Sequence, residues 1–136
     1  MAPDQDLHRH LSMFPGDPSG AAVAFARRTL ADWGINGTSA TDVLLVTAEL
    51  LANAAQHTPG PRRLDLYLHR HGLTAAVTDP SPDPPRVRRP YRPDAPDGHG
   101  LVIVDRLALA WGHRPAPTGK MVWALLPAPA RRPNPL

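Results

Sequence analysis

Hydrophobic and polar positions alternate most regularly in residues 62–69, RRLDLYLH. A leucine occupies every second position and a polar or amphipathic residue each position between, which is the period of a half-buried strand. The alternating residues are Leu64, Leu66 and Leu68 against Asp65, Tyr67 and His69. The segment LTAAVTD, residues 73–79, follows Gly72 and predicts the second strand of a hairpin. HRHLSMF, residues 8–14, stops before Pro15-Gly16 and favours an edge strand.

Helical spacing of apolar residues predicts three helices. The first runs from about Pro18 to Trp33, and its predicted inner stripe consists of Ala22, Val23, Phe25, Ala26 and Leu30. The second begins near Ser39, a candidate N-cap, and ends near His57. The third, GHGLVIVDRLALAWG at residues 98–112, opens at a glycine pair, and its predicted inward residues are Leu101, Val104, Leu107 and Ala108 or Trp111.

The order of these elements predicts the fold class. WGHRP and MVWALL form a last hairpin, with its turn at residues 117–120. Strand, two helices, two strands, loop, helix and two strands indicate an α+β, two-layer sandwich with three helices on one face of a largely antiparallel mixed sheet. We expect one domain at residues 11–126, an N-terminal tail at 1–10 and a proline-rich disordered tail at 127–136.

A long loop interrupts this framework. Seven prolines fall between residues 80 and 98, and they exclude both a helix and a central strand there. A loop of this length in an ordered domain is typically a lid or a binding loop, and we place a lid at residues 80–97.

Composition narrows the class of protein. The 136 residues contain no cysteine, which excludes disulfides and thiolate metal sites, and no apolar stretch approaches the roughly 20 residues of a membrane span. We therefore expect a cytoplasmic protein without membrane contact. Fourteen of the fifteen basic residues are arginine and the net charge is +3. This small excess fits a solvated surface, with anion or nucleic-acid binding as the alternative.

One helix carries an unusual polar stripe. Glu49, Asn53 and His57 stand at i, i+4 and i+8 and therefore share one side of the second helix. A solvated helix face is one explanation. The other is a cation site, because carboxylate and carboxamide oxygens are ligands for Mg²⁺.

Two further features are candidates for ligand contacts. Asp79 directly follows an apolar strand, where a carboxylate either forms a turn or binds a ligand. Gly98-His99-Gly100 opens the third helix, where glycines allow close approach and free N–H groups attract an anion. A simple loop-to-helix junction is the alternative. His8 with His10, and His69 with His71, share strand faces but have no carboxylate in the same local motif, which disfavours a metal site.

Taken in order, these features resemble the GHKL ATP-binding fold. FPGDPSG with ARRTLADWGI, the ELLANAAQHT box, VTDPSP, and GHGLVIVDRLALAWG followed by GKMVWALLP are similar to the single-domain actinobacterial anti-sigma factor serine kinases. The resemblance extends from Leu11 to Leu126. Asp79-Pro80-Ser81-Pro82 stands where relatives often have DxGxG.

The resemblance implies a role for each candidate residue. Glu49 would be the general base, Asn53 would ligate Mg²⁺ on the ATP phosphates, and Asp79 would accept a hydrogen bond from the adenine amino group. His57, one turn further along, is interpreted from its position as a helix-end residue that interacts with the terminal carbonyls rather than as a ligand. The predicted contacts to the rest of ATP are Gly98, His99, Gly100, Leu101 and Arg92.

The expected function is an ATP- and Mg²⁺-dependent serine kinase. Its expected protein partners are an anti-sigma factor antagonist and a sigma factor, with a homodimer as a further assembly and no direct nucleic-acid contact. A non-catalytic, ATP-gated binding module is the first alternative. A small basic nucleic-acid-binding protein is the second.

Overall fold

The computed structural model describes residues 6–85 and 99–127, with backbone alone for His99 and Gly100. The elements are β1 (Leu7–Ser12), α1 (Ser19–Asp32), α2 (Gly37–His57), β2 (Arg63–His69), β3 (Gly72–Asp79), α3 (His99–Leu107), β4 (Ala110–Ala116) and β5 (Gly119–Leu126). This is the predicted order. The sheet begins at Leu7, inside the segment predicted as an N-terminal tail (1–10).

The strands form one sheet in the order β1-β2-β3-β5-β4. All four pairings among these described strands are antiparallel. β1 lies at one edge, as its sequence predicts, and β4 at the other. The α+β two-layer fold class is confirmed.

The two faces of the sheet have opposite character. On the inner face Leu64, Val77 and Val122 align across β2, β3 and β5, and all three are buried in the core with residues of the helices. On the outer face, cross-strand partners form a row over all five strands: His10, Asp65, Ala76, Trp123 and Gly112. The helices therefore cover the inner face.

Helix α1 buries a narrower stripe than its sequence predicts. Ala22, Ala26 and Leu30 are buried as expected, whereas Val23 and Phe25 lie at the margin of the core. Trp33 caps the helix, and its N–H donates to the carbonyl of Thr29 at 3.0 Å. Gly34 follows with φ of 74°, a left-handed conformation that suits glycine.

Helix α2 starts earlier than predicted, and the assignment of Ser39 as its N-cap is wrong. The helix begins at Gly37, and Asn36 is the N-cap residue without a side-chain capping bond. Thr41 Oγ1 donates to the carbonyl of Gly37 at 3.1 Å. Gly37 has φ of 64°, so glycine allows the chain to enter the helix two residues before Ser39.

Helix α3 ends earlier than predicted. The apolar spacing extends the expected helix to Trp111, but α3 stops at Leu107 and β4 starts at Ala110. The N–H of Ala108 still donates to Val104, and the N–H of Leu109 donates instead to Leu125 of β5 at 2.8 Å. Pairing with a neighbouring strand therefore takes these backbone groups from the helix, and local spacing does not reveal such a competition.

Several predictions concern residues outside the described ranges. These residues are 1–5 of the N-terminal tail, Arg92, Gly98, 86–97 of the lid and 128–136 of the C-terminal tail. Among the described helices, none is long and apolar enough to cross a bilayer.

Candidate functional site

The predicted polar stripe lies on a helix that contacts both other parts of the candidate site. Helix α2 packs against α3 and against β3. Glu49 and Asn53 are partly buried, while His57 in the last turn is exposed. The opposite side of the helix contributes Leu50, Leu51 and Ala54 to the core. The stripe is thus neither fully solvated nor part of the core.

Asp79 is a buried carboxylate at the end of β3, with a relative exposure of 1%. Its Oδ1 accepts hydrogen bonds from the N–H of Ser81 at 2.9 Å and from Nζ of Lys120 at 3.0 Å. Lys120 is itself only 4% exposed, and its Nζ also donates to the carbonyl of Ser81 at 3.3 Å. Asp79 therefore forms a turn contact with Ser81 and, in addition, a buried ion pair with Lys120.

Lys120 is a site residue that the sequence analysis missed. Gly119-Lys120 is part of the predicted hairpin turn at residues 117–120, which accounts for its position without any role in the site. In the sheet, however, Lys120 is the direct cross-strand partner of Asp79. Knowledge of the β3–β5 register would have identified the pair, but the two residues lie 41 positions apart in the sequence.

The candidate residues converge on one end of the sheet. β3 ends at Asp79, β5 begins there, and Arg63 at the start of β2 pairs with Thr78. Only residues 58–62 separate that start from the end of α2, so the last turns of α2 belong to the same end. Helix α3 ends two residues before β4, at the opposite end, and packs along α2, so its first turn points back towards Asp79.

Leu101 contributes to the core. Its side chain is fully buried and belongs to the hydrophobic cluster between the layers. Any nucleotide contact of this residue would therefore use its backbone. His99 and Gly100 form the start of α3, where backbone N–H groups without helical partners attract anions.

A second polar cluster lies on the outer face of the sheet. Asp65 is 3% exposed, and its carboxylate accepts bonds from Nε of Arg63 at 2.9 Å and from Nε2 of His8 at 2.7 Å. Burial acts to raise the pKa of Asp65, but the hydrogen bonds from Arg63 and His8 together hold this pKa below its usual value. The His8 ring stacks on Tyr67 with centroids 4.3 Å apart. Asp65 is therefore buried, although it lies on the polar side of a strand predicted to be half-buried.

A cavity of about 470 Å³ opens on the same outer face, far from the α2 stripe. Its lining combines aromatic, basic and aliphatic side chains, among them Tyr67, His69, Arg114, Met121 and Trp123. None of the predicted ATP-binding residues lines it. We therefore treat it as separate from the candidate nucleotide site.

Residues 17–126 match the family described as the histidine kinase-like ATPase domain. The matched region contains Glu49, Asn53, Asp79 and Lys120, and it includes every described element except β1. No curated protein matches the chain.

Proposed function

The chain belongs to the histidine kinase-like ATPase domain family, and from that premise we propose that it is an ATP-binding regulator with Mg²⁺-dependent serine-protein kinase activity. The family is a GHKL-type ATPase family, which implies ATP binding. We further propose that an anti-sigma factor antagonist is the phosphate acceptor and that a sigma factor is the second partner. The similarity of the ELLANAAQHT and GHGLVIVDRLALAWG segments to anti-sigma factor kinases supports this choice.

The observation that carries the proposal is the position of Glu49 and Asn53. Both are partly buried on α2, a helix that contacts β3 and α3. Phosphoryl transfer depends on a metal, a phosphate cradle and an oriented nucleophile. The packing of α2 against both β3 and α3 supports the proposal that this helix supplies the metal ligand and the base.

Asn53 is the proposed ligand for Mg²⁺. Its carboxamide oxygen is a hard donor, and its partial burial leaves room for the water ligands that Mg²⁺ usually retains. A single protein oxygen beside substrate phosphates is a typical donor set for this ion. When bound, Mg²⁺ neutralises charge on the phosphates.

Glu49 is the proposed general base. It precedes Asn53 by four residues and therefore lies one turn away on the same side of the helix. From there its carboxylate would accept the proton of a serine hydroxyl as that oxygen attacks the terminal phosphorus of ATP, and the bond to ADP would break. His57, exposed in the last turn, is not assigned a chemical role.

Asp79, the start of α3 and the loop before it complete the proposed nucleotide site. The carboxylate of Asp79 would accept the adenine amino N–H, while Lys120 and Ser81 hold it in place. N–H groups at Gly98, His99 and Gly100 would bind phosphate oxygens, and Arg92 or His99 would add polar contacts. Residues 80–97 would close over the nucleotide as a lid.

The setting of the protein is also a proposal. We place it in the cytoplasm, with protein partners and without direct nucleic-acid contact, and a homodimer is its proposed assembly. The outer sheet face, with Met121 and Trp123 partly exposed, offers apolar area for self-association.

One observation favours the non-catalytic, ATP-gated binding module as a second candidate. Pro80 and Pro82 flank Ser81 where glycines would give a flexible lid hinge, and Ser81 is bonded to both Asp79 and Lys120. A stiff hinge of this kind is compatible with nucleotide binding and partner capture without phosphate transfer.

A phosphate-transfer assay distinguishes the two candidates. The protein is incubated with Mg-ATP and candidate antagonist proteins, and labelled serine is measured. Glu49→Gln should lower the rate by about 10²-fold or more through loss of the base, whereas His57→Ala, on the same stripe, should not. Nucleotide binding without any transfer supports the binding module, and a wild-type rate in Glu49→Gln removes Glu49 from the mechanism.

A further inference from the structure

Two histidines and an aspartate meet on the outer face of the sheet. His8 and His10 alternate along β1 and so point to the same side. Antiparallel pairing places Asp65 of β2 directly opposite His10. One ring nitrogen of each histidine and one oxygen of Asp65 lie within 4.8 Å of one another. The sequence hides this cluster because its carboxylate lies 57 residues beyond His8.

We propose that His8, His10 and Asp65 form a binding site for a divalent first-row transition metal ion such as Zn²⁺. Two imidazoles and one carboxylate are the three protein ligands typical of open zinc sites, with solvent or another ligand in the fourth position. The histidines are exposed, so that fourth position faces solvent. Nitrogen ligands favour such ions over Mg²⁺ and Ca²⁺.

The distances suit such an ion. Bonds of about 2.0–2.1 Å in a tetrahedral site separate the ligand atoms by about 3.3 Å. Nε2 of His8 and Oδ1 of Asp65 are now 2.7 Å apart, as hydrogen-bonded partners. A metal would replace that bond, so these two atoms need to separate by about 0.6 Å. The third atom, from His10, needs to move inward, which an exposed side chain does by rotation about its own torsions.

Neighbouring side chains already orient two of the three ligands. Arg63 donates from Nε and Nη2 to the carboxylate of Asp65, at 2.9–3.1 Å, and so fixes its plane. Tyr67 stacks on the His8 ring at an interplanar angle of 7° and limits its rotation. In proteins, metal ligands are commonly oriented by neighbouring side chains that contact the ligand and not the metal.

Arg63 also brings a positive charge close to the ion, which opposes binding. Its side chain is 42% exposed, so water screens that charge. Asp65 contributes a carboxylate from a buried position, where it is 3% exposed. The site is therefore a solvent-exposed metal site whose carboxylate is anchored in advance.

The proposed site is independent of the nucleotide site. It lies on the outer sheet face, whereas Glu49 and Asn53 lie on α2, which packs against the inner face. A bound ion would connect edge strand β1 to β2 and so stabilise the pairing of these two strands. Its ligands come from elements that the ATP proposal does not use.

Titration of Zn²⁺ alone into the metal-free full chain tests the proposal. We expect one ion per chain by calorimetry and a rise in Tm with Zn²⁺. His10→Gln removes one ligand, and in the structure's described contacts His10 makes no hydrogen bond to Asp65. Zn²⁺ binding should weaken at least tenfold, because loss of an outer-shell contact alone typically costs about 10–100-fold. His113→Gln, an exposed histidine on β4, is the matched control and should bind as the wild type does.

Visible absorption of the Co²⁺-loaded chain gives a second measurement. Bands typical of four- or five-coordinate Co²⁺ are expected in the wild type and in His113→Gln, and should be lost in His10→Gln and in Asp65→Asn. Equal Zn²⁺ affinity in the wild type and His10→Gln overturns the proposal, and so does a wild-type chain that takes up no Zn²⁺.

Discussion

Nζ of Lys120 lies 3.0 Å from Oδ1 of Asp79, and both side chains are almost completely withdrawn from water. The pair joins the end of β3 to the beginning of β5, where the two residues are direct cross-strand partners. Because a buried charge is costly unless it is paired, each residue depends on the other. The proposed adenine-binding carboxylate is thus held by a structural lysine.

Removing one member of this pair should destabilise the fold strongly. Asp79→Asn or Lys120→Met alone leaves a buried charge without its partner, and we expect a loss of about 3–5 kcal/mol in the free energy of unfolding. The double variant should recover part of this loss because neither charge is left. Urea unfolding measures all three. Nearly additive single effects would contradict the coupling.

The exposed pair Arg9–Asp32 provides the control for that series. Nη1 of Arg9 lies 2.6 Å from Oδ2 of Asp32, closer than the buried pair, but the side chains are 43% and 57% exposed. Asp32→Asn should therefore cost less than about 1 kcal/mol. A larger loss here than in Asp79→Asn would show that distance, rather than burial, determines the contribution of these ion pairs.

Gly119 should tolerate no side chain. A Cβ at this position would collide with the carbonyl of Asp79 and the backbone of Pro80, neither of which is a flexible side chain. Gly119→Ala should lower Tm and weaken ATP binding together, because it displaces the chain at Asp79. Gly20→Ala in α1, where an added Cβ meets nothing within 4 Å, should leave both unchanged or raise Tm slightly. Thermal unfolding with and without Mg-ATP measures both effects.

Replacing Thr47 with valine should stabilise the fold. Its Oγ1 is buried without a hydrogen-bond partner in the described part of the chain, and its residue is 0% exposed. Thr47→Val keeps the shape and removes the unpaired hydroxyl, so we expect a gain of about 1 kcal/mol in unfolding free energy.

Thr29 is the matched control for this change. It is equally buried on α1, but its Oγ1 donates to the carbonyl of Phe25 at 2.9 Å. Thr29→Val should bring no gain because a satisfied hydroxyl is lost. Equal changes in the two variants, measured by urea unfolding, would rule out the unpaired hydroxyl as the cause.

Mg-ATP should stabilise the wild type by binding the native state alone. At a hundred times the dissociation constant the expected gain is about 2.7 kcal/mol, seen as a rise in Tm. Asn53→Ala should reduce the rise with Mg-ATP, through loss of the proposed Mg²⁺ ligand. Gln56→Ala, an exposed carboxamide on the same helix, should not. Absence of a rise in the wild type would remove the kinase and the ATP-gated module together.

Local patterns were sufficient to predict the elements of the fold. The alternation of Leu64, Leu66 and Leu68 correctly gave the buried face of β2, because a strand with one covered face must alternate. The predicted end of α3 was wrong because Leu109 pairs with Leu125 of β5. This tertiary interaction ends the helix although the apolar spacing continues.

The contents of the two polar clusters were harder to predict. Asp65 looked like a solvated residue of β2, yet Arg63 and His8 cover it. Lys120 looked like part of a turn, yet it neutralises Asp79. Arg63 lies on β2 itself, but His8 and Lys120 lie on adjacent strands, and those partners depend on strand order and register. The pattern within one segment contains neither.

The edge strand β4 has a consequence for growth of the sheet. In the two-residue turn, Ala116 and Gly119 form the closing, hydrogen-bonded pair. The next pair, Pro115 and Lys120, is then a non-hydrogen-bonded pair, so the backbone groups of Pro115 point away from β5. Pro115 has no N–H, and a strand added along this edge would lose a ladder bond there. Pro115 thus disfavours edge-to-edge pairing of another strand with β4. The faces of the sheet and the β1 edge are the alternative docking surfaces for another chain.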